Sequence, residues 1–125
     1  MSKRKERRKS EDNTLHKPEI YYSPKTQSQS ELYHDLDSAA LMVALGPAGT
    51  GKTFTCCMKA AQWLSRGVIT KIILTRANVP TGKSLGAIPG TLEEKLEPWM
   101  MPMTDVLKEA LGKGFYEYCV KRERI

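Results

Sequence analysis

The chain has 125 residues, 40% of them hydrophobic, enough for one globular unit and too few for two. Its formal charge of +6 is concentrated at the start, where MSKRKERRKS holds six Lys or Arg against one Glu and leaves +1 for everything after. No apolar run reaches membrane-spanning length and the basic start lacks the apolar stretch of a signal peptide, so the chain is expected to stay inside the cell, away from membranes.

Residues 1–30 are polar and rich in charge, with Pro18 and Pro24 among them, and are expected to form a disordered or loosely attached basic tail. Such a tail attracts the phosphate backbone of RNA or DNA in a salt-sensitive way, or simply aids solubility. A helical pattern follows through Leu32, Tyr33 and Leu36. Just ahead of it stand Gln27 and Gln29, and a Gln carboxamide beside an adenine can both donate and accept, which selects ATP.

Residues 40–45, ALMVAL, are a wholly apolar run of strand length, as in a strand buried on both faces of a parallel sheet. Gly46, Pro47, Ala48, Gly49, Thr50, Gly51, Lys52 and Thr53 then spell GxxxxGK(S/T), the phosphate-binding loop. A triphosphate needs several donors converging on its oxygens with no side chain in the way, and the glycines let backbone amides supply them. Lys52 is placed to reach the β- and γ-phosphates as a point charge, and the Thr53 hydroxyl to hold the accompanying magnesium ion. After the loop, Phe54, Met58, Ala61 and Leu64 recur at helical spacing, with Lys59, Gln62 and Arg66 on another side and Gly67 as the stop. Cys56 and Cys57 are neighbours on this helix, point in different directions and have no CxxC partner; with Cys119 they read as free thiols. His16 and His34 are single and read as surface residues.

Residues 71–75, KIILT, are the second expected strand, completing a right-handed βαβ unit. Arg76 stands at its carboxyl end, where open α/β sheets gather their ligands. From Ala77 to Gly90 the frequent Pro and Gly, with Lys83 among them, predict a long shaped loop on that face. Thr91 and Glu94 have capping-box spacing, opening a helix that Pro98 and Pro102 should kink or divide. Trp99, Met100, Met101 and Met103 suit a core or an interface better than the alternative, a sticky binding face. A second helical piece carries Val106, Leu107, Ala110 and Leu111 up to Gly112, and a short helix runs through Phe115 towards the basic end.

Together GPAGTGKT and ILTRANVPTGKSLGAIPGTLEEKLEPW resemble the PhoH family of P-loop ATPases, more closely its phage-borne members, over about residue 24 to the end. PKTQSQ resembles the family's upstream glutamine motif, which favours Gln29 over Gln27 as the adenine reader. The resemblance implies a RecA-like core related to superfamily 1 helicases, ATP and magnesium as ligands, a role in RNA metabolism, and the cytoplasm of a bacterium or a phage-infected host. It also puts Arg76 and the following loop, with Lys83, where helicases face nucleic acid or relay the nucleotide state. Ala77 replaces a proline of many members, and Ala87 an aromatic residue. The family's strand ending in Asp-Glu has no counterpart here.

The expected fold is therefore α/β, a P-loop NTPase with a parallel sheet and flanking helices, of which residues 31–125 form the N-terminal part. Without the Asp-Glu carboxylates the chain is expected to bind nucleotide weakly and hydrolyse little. A non-catalytic, ATP-responsive binding module and a small P-loop kinase are the competing readings, and assembly into a homo-oligomer is compatible with all three.

Overall fold

The computed structural model describes residues 17–77 and 92–125, with side chains over 17–77 and 98–125. Among the described residues four helices follow in order: α1 (Gln27–Asp35), α2 (Lys52–Arg66), α3 (Leu92–Leu111) and α4 (Lys113–Lys121). The middle helix α2 carries contacts from both sides, α1 on one and α3 on the other, while α4 packs on α3.

Helix α2 ends as its sequence requires. Gly67 takes a left-handed conformation (φ 76°), its amide donates to the Leu64 carbonyl at 3.2 Å, and the next amide, of Val68, donates to Trp63 at 2.9 Å. Those two bonds satisfy carbonyls that the last helical turn would otherwise leave open. Met58, Ala61 and Leu64 are buried on the expected face, where they meet Leu107 and Leu111 of α3 and Phe115, Tyr116 and Cys119 of α4 in one apolar cluster. Phe54 is partly exposed and lies 5.8 Å, centroid to centroid, from the Tyr22 ring.

The opposite face of α2, which carries Lys59 and Gln62, is covered as well. Residues 18–37 pass over it as a strap. The Gln62 carboxamide donates to the Ile20 carbonyl at 2.9 Å and accepts from the Tyr33 hydroxyl at 2.5 Å, while Ser65 donates to the Pro18 carbonyl and the Tyr22 and Thr55 hydroxyls share a 2.7 Å bond. Every one of these buried polar groups thus has a partner, which is the condition for burying them at all. Residues 17–30 belong to the stretch read as a loose tail; residues 1–16 lie outside the described residues.

Lys59 is 5% exposed, its ammonium 2.8 Å from an Asp37 carboxylate oxygen and 3.9 Å from the centre of the Tyr33 ring. The hydrogen bond from Lys59 holds the Asp37 carboxyl below the ordinary carboxylate range. A folded-state pKa lower than the unfolded one contributes stability above the unfolded value and loses it as the pH falls through the folded one. The melting temperature of the native chain should therefore fall more steeply than that of Asp37→Asn on acidification from pH about 6 to about 3. Parallel curves would show that the pair contributes nothing.

The parallel sheet expected from residues 40–45 and 71–75 is not formed: the described residues contain helices and no strand. A strand exists through its ladder with a neighbour. Here the Ile72 amide donates to the Arg124 carbonyl at 2.7 Å, near the far end of the chain, and no backbone bond joins the two apolar runs. Helix packing also covers only one side of each run. Ile72 is buried and Leu74 packs on the core, but Ile73 is 75% exposed, as are Leu41, Val43 and Leu45 at 84%, 70% and 89%.

Helix α3 is not divided. It runs unbroken through Pro98 and Pro102. The two prolines are four residues apart and so lie on one side of the helix, where each removes a single bond, to the carbonyls of Glu94 and Pro98. Losing two bonds on one side leaves the ladder on the other side whole, a situation that bends a helix rather than ending it. The capping threonine expected at Thr91 lies outside the described residues.

Candidate functional site

The loop 46–53 leads directly into α2. Gly49 (φ 80°) and Gly51 (φ 86°) both adopt the left-handed backbone that glycine alone takes freely, and Gly51 is the residue from which the helix starts. Thr50 closes the loop on itself, its hydroxyl donating to the Pro47 carbonyl at 2.8 Å. Thr55 is the first residue whose amide returns to the loop, to Gly51 at 2.9 Å. Among the described residues, no hydrogen bond uses an amide of residues 46–53 as donor. An N-terminal row of unspent amides, reinforced by the helix dipole, is a ready receptor for an anion.

Lys52 is the first residue of α2, and its side chain bends back over the loop. The ammonium donates to the carbonyls of Gly46 and, at 2.8 Å, of Pro47. The loop thus presents two of its carbonyls to its own lysine and leaves its amides unspent among the described residues. A phosphate arriving at those amides would meet the lysine within reach, because the charge already sits over the loop.

Thr53, one position on, is exposed and its hydroxyl makes no hydrogen bond among the described residues. Its hydroxyl lines the same cavity as Lys52, about 420 Å³ in volume and otherwise bounded mainly by apolar residues such as Ala44, Cys56, Ile72 and Leu107. A free hydroxyl next to a phosphate receptor fits magnesium, which takes one or two protein oxygens and fills its remaining positions with phosphate and water. Cys56 and Cys57 follow on the same helix. Burial raises both thiols, Cys57 to about 11, so neither is a thiolate nucleophile at neutral pH. None of the three cysteines is in a disulfide.

On its other side the loop borders a larger cavity of about 620 Å³, shared with α1 and residues 42–45. Thr26, Gln29, Glu31 and Asp35 supply its polar wall. Gln29 is the sequence-predicted residue brought closest to the loop: its carboxamide nitrogen donates to the Thr50 carbonyl at 2.9 Å, and its oxygen accepts from the Lys25 amide at 3.0 Å. Gln27 points elsewhere, bonding Glu31 at 3.3 Å. Arg76 is brought to α3, where its guanidinium donates to the Trp99 carbonyl at 2.9 Å. Lys83 lies outside the described residues.

The sequence reading missed Thr26. Its hydroxyl caps α1 by accepting from the Gln29 amide at 3.2 Å. The signal was present in the letters, since Thr26 and Gln29 have the T-x-x-Q spacing of a capping box.

The sequence profile of the family described as "PhoH-like protein" matches residues 21–125, most of the chain. The chain belongs to the PhoH family. Among its PhoH relatives, a "PhoH-like protein" of Bacillus subtilis is 43% identical over 98 residues, 78% of this chain and 31% of that one. A "PhoH-like protein" of Mycobacterium leprae is 41% identical over 88 residues, covering 70% and 25%, and "Protein PhoH" of Escherichia coli is 35% identical over 99 residues, covering 79% and 28%. The chain therefore spans between a quarter and a third of the length of these PhoH proteins. No solved structure gave a match. Among the described residues no helix is long and apolar enough to cross a membrane.

Proposed function

We propose that this PhoH-family chain binds ATP with magnesium at residues 46–53, as the nucleotide-binding part of an ATPase related to superfamily 1 helicases that acts on RNA or other nucleic acid in the cytoplasm. The observation that carries the reading is the loop itself. Its amides, unspent among the described residues, lead into the N-terminus of a 15-residue helix, with Lys52 over the loop and the Thr53 hydroxyl without a partner there. The roles follow from chemistry. The amides would hold the phosphates, Lys52 would exchange its two carbonyl partners for phosphate oxygens, and Thr53 would supply one oxygen to magnesium, which neutralises the phosphate charge.

Support for the nucleic-acid part comes from family membership, from the basic residues at the start of the chain and from Arg76, whose hydrogen bond links the end of the 71–76 segment to α3. A fluorescent ATP analogue titrated into the chain with and without magnesium tests the first part, and repetition with single-stranded RNA tests the second. Saturable, magnesium-dependent binding displaced by ATP is expected, with RNA altering the affinity. No binding would sink the nucleotide reading, and binding indifferent to every RNA or DNA would sink the nucleic-acid one. ATP bound without release of phosphate would favour an ATP-responsive module over a catalyst.

A further inference from the structure

We infer that Gln29 is a positioning residue that braces the phosphate-binding loop whatever base the nucleotide carries. The inference rests on the nucleotide reading above and concerns how the same site is held. The Gln29 side chain is already committed at both ends to backbone. Its oxygen accepts from the Lys25 amide at 3.0 Å, one residue before the Thr26 cap, so it takes up a donor at the entrance to α1. Its nitrogen donates across 21 residues to the Thr50 carbonyl, at 2.9 Å, in the middle of the loop.

Each end faces the complementary group, which fixes the carboxamide's orientation and its plane. Contact with the loop is also close. A Cβ built on Gly51 would stand 2.7 Å from the Gln29 nitrogen, so a side chain there would push the carboxamide aside. The left-handed backbone of Gly51 is what requires glycine, and the carboxamide lies directly against it. Thr50 and Gly51 directly precede Lys52, so the bond to Thr50 sets where the Lys52 side chain leaves the backbone. A base has no part in this contact. What Gln29 acts on is the shape of the phosphate receptor.

Calorimetric titration of wild type, Gln29→Ala and Gln29→Glu with magnesium complexes of ATP, GTP and inorganic tripolyphosphate tests this, tripolyphosphate having no base. Gln29→Ala should weaken all three ligands by a common factor of about 2- to 10-fold, the worth of one hydrogen bond, with the melting temperature unchanged. Gln29→Glu keeps the acceptor for Lys25 but turns a carboxylate towards the Thr50 carbonyl, and should weaken tripolyphosphate at least as much. A loss confined to ATP would overturn the brace and leave Gln29 as a reader of adenine. Wild-type affinity for tripolyphosphate in Gln29→Glu would overturn it too. If the wild type binds none of the ligands, the nucleotide reading itself fails, and the brace with it.

Discussion

Replacing Lys52 by Ala should lower the proposed affinity for magnesium-ATP by roughly 10- to 100-fold, the range expected when one or two charge-assisted hydrogen bonds are lost. The structure gives this substitution an unusually clean background. The ammonium is held by the Gly46 and Pro47 carbonyls, both on exposed residues, so in Lys52→Ala water would replace it there and the fold would lose little. Thermal melting of Lys52→Ala should match wild type while binding collapses. Lys52→Arg should not restore binding, because a planar five-donor fork does not occupy the place of a compact ammonium between two neighbouring carbonyls. Fluorescence titration of the three proteins decides the matter; unchanged affinity in Lys52→Ala would remove the loop from the function.

Leu107→Ala should destabilise the chain by about 2–5 kcal/mol, a large part of the stability of any domain this size. Leu107 is 0% exposed and sits where α3 meets α2 and the Ile72 segment. Truncation removes three carbons from a packed site and leaves a void that neighbours on two helices cannot both close. Met101→Ala on the same helix, at a half-exposed position, should lose less than about 1 kcal/mol. Urea unfolding of the two variants measures the difference. Equal losses would mean that α3 does not form part of the core.

The parts of this structure that could be read from the letters are those whose physics is local. Residues 46–53 and the helix after them form a contiguous pattern, and Gly67 stops that helix by the conformation only glycine takes freely. The apolar runs at 40–45 and 71–75 misled because a strand is made by its neighbours, and composition cannot say whether neighbours are present. The partners of Lys59 and Gln62 were not legible for a similar reason: the strap of residues 18–37 supplies Asp37, Tyr33 and the Ile20 carbonyl from far along the chain. The bond from Arg76 to Trp99, across 23 residues, left no trace in the sequence, whereas the Thr26 cap of α1 was legible and went unread.

The exposed leucines and valine ahead of the loop make the isolated chain a poor colloid. Leu41, Val43 and Leu45 put bare hydrocarbon within a few residues of backbone groups that no ladder protects, the combination from which sticky encounters between molecules are made. Sulfate and similar salting-out ions, which usually preserve a purified protein, would here sharpen the attraction between molecules. Chloride buffers and dilute stocks suit it better, and a bound triphosphate, by offsetting part of the +6 charge, would weaken the like-charge repulsion that keeps copies apart.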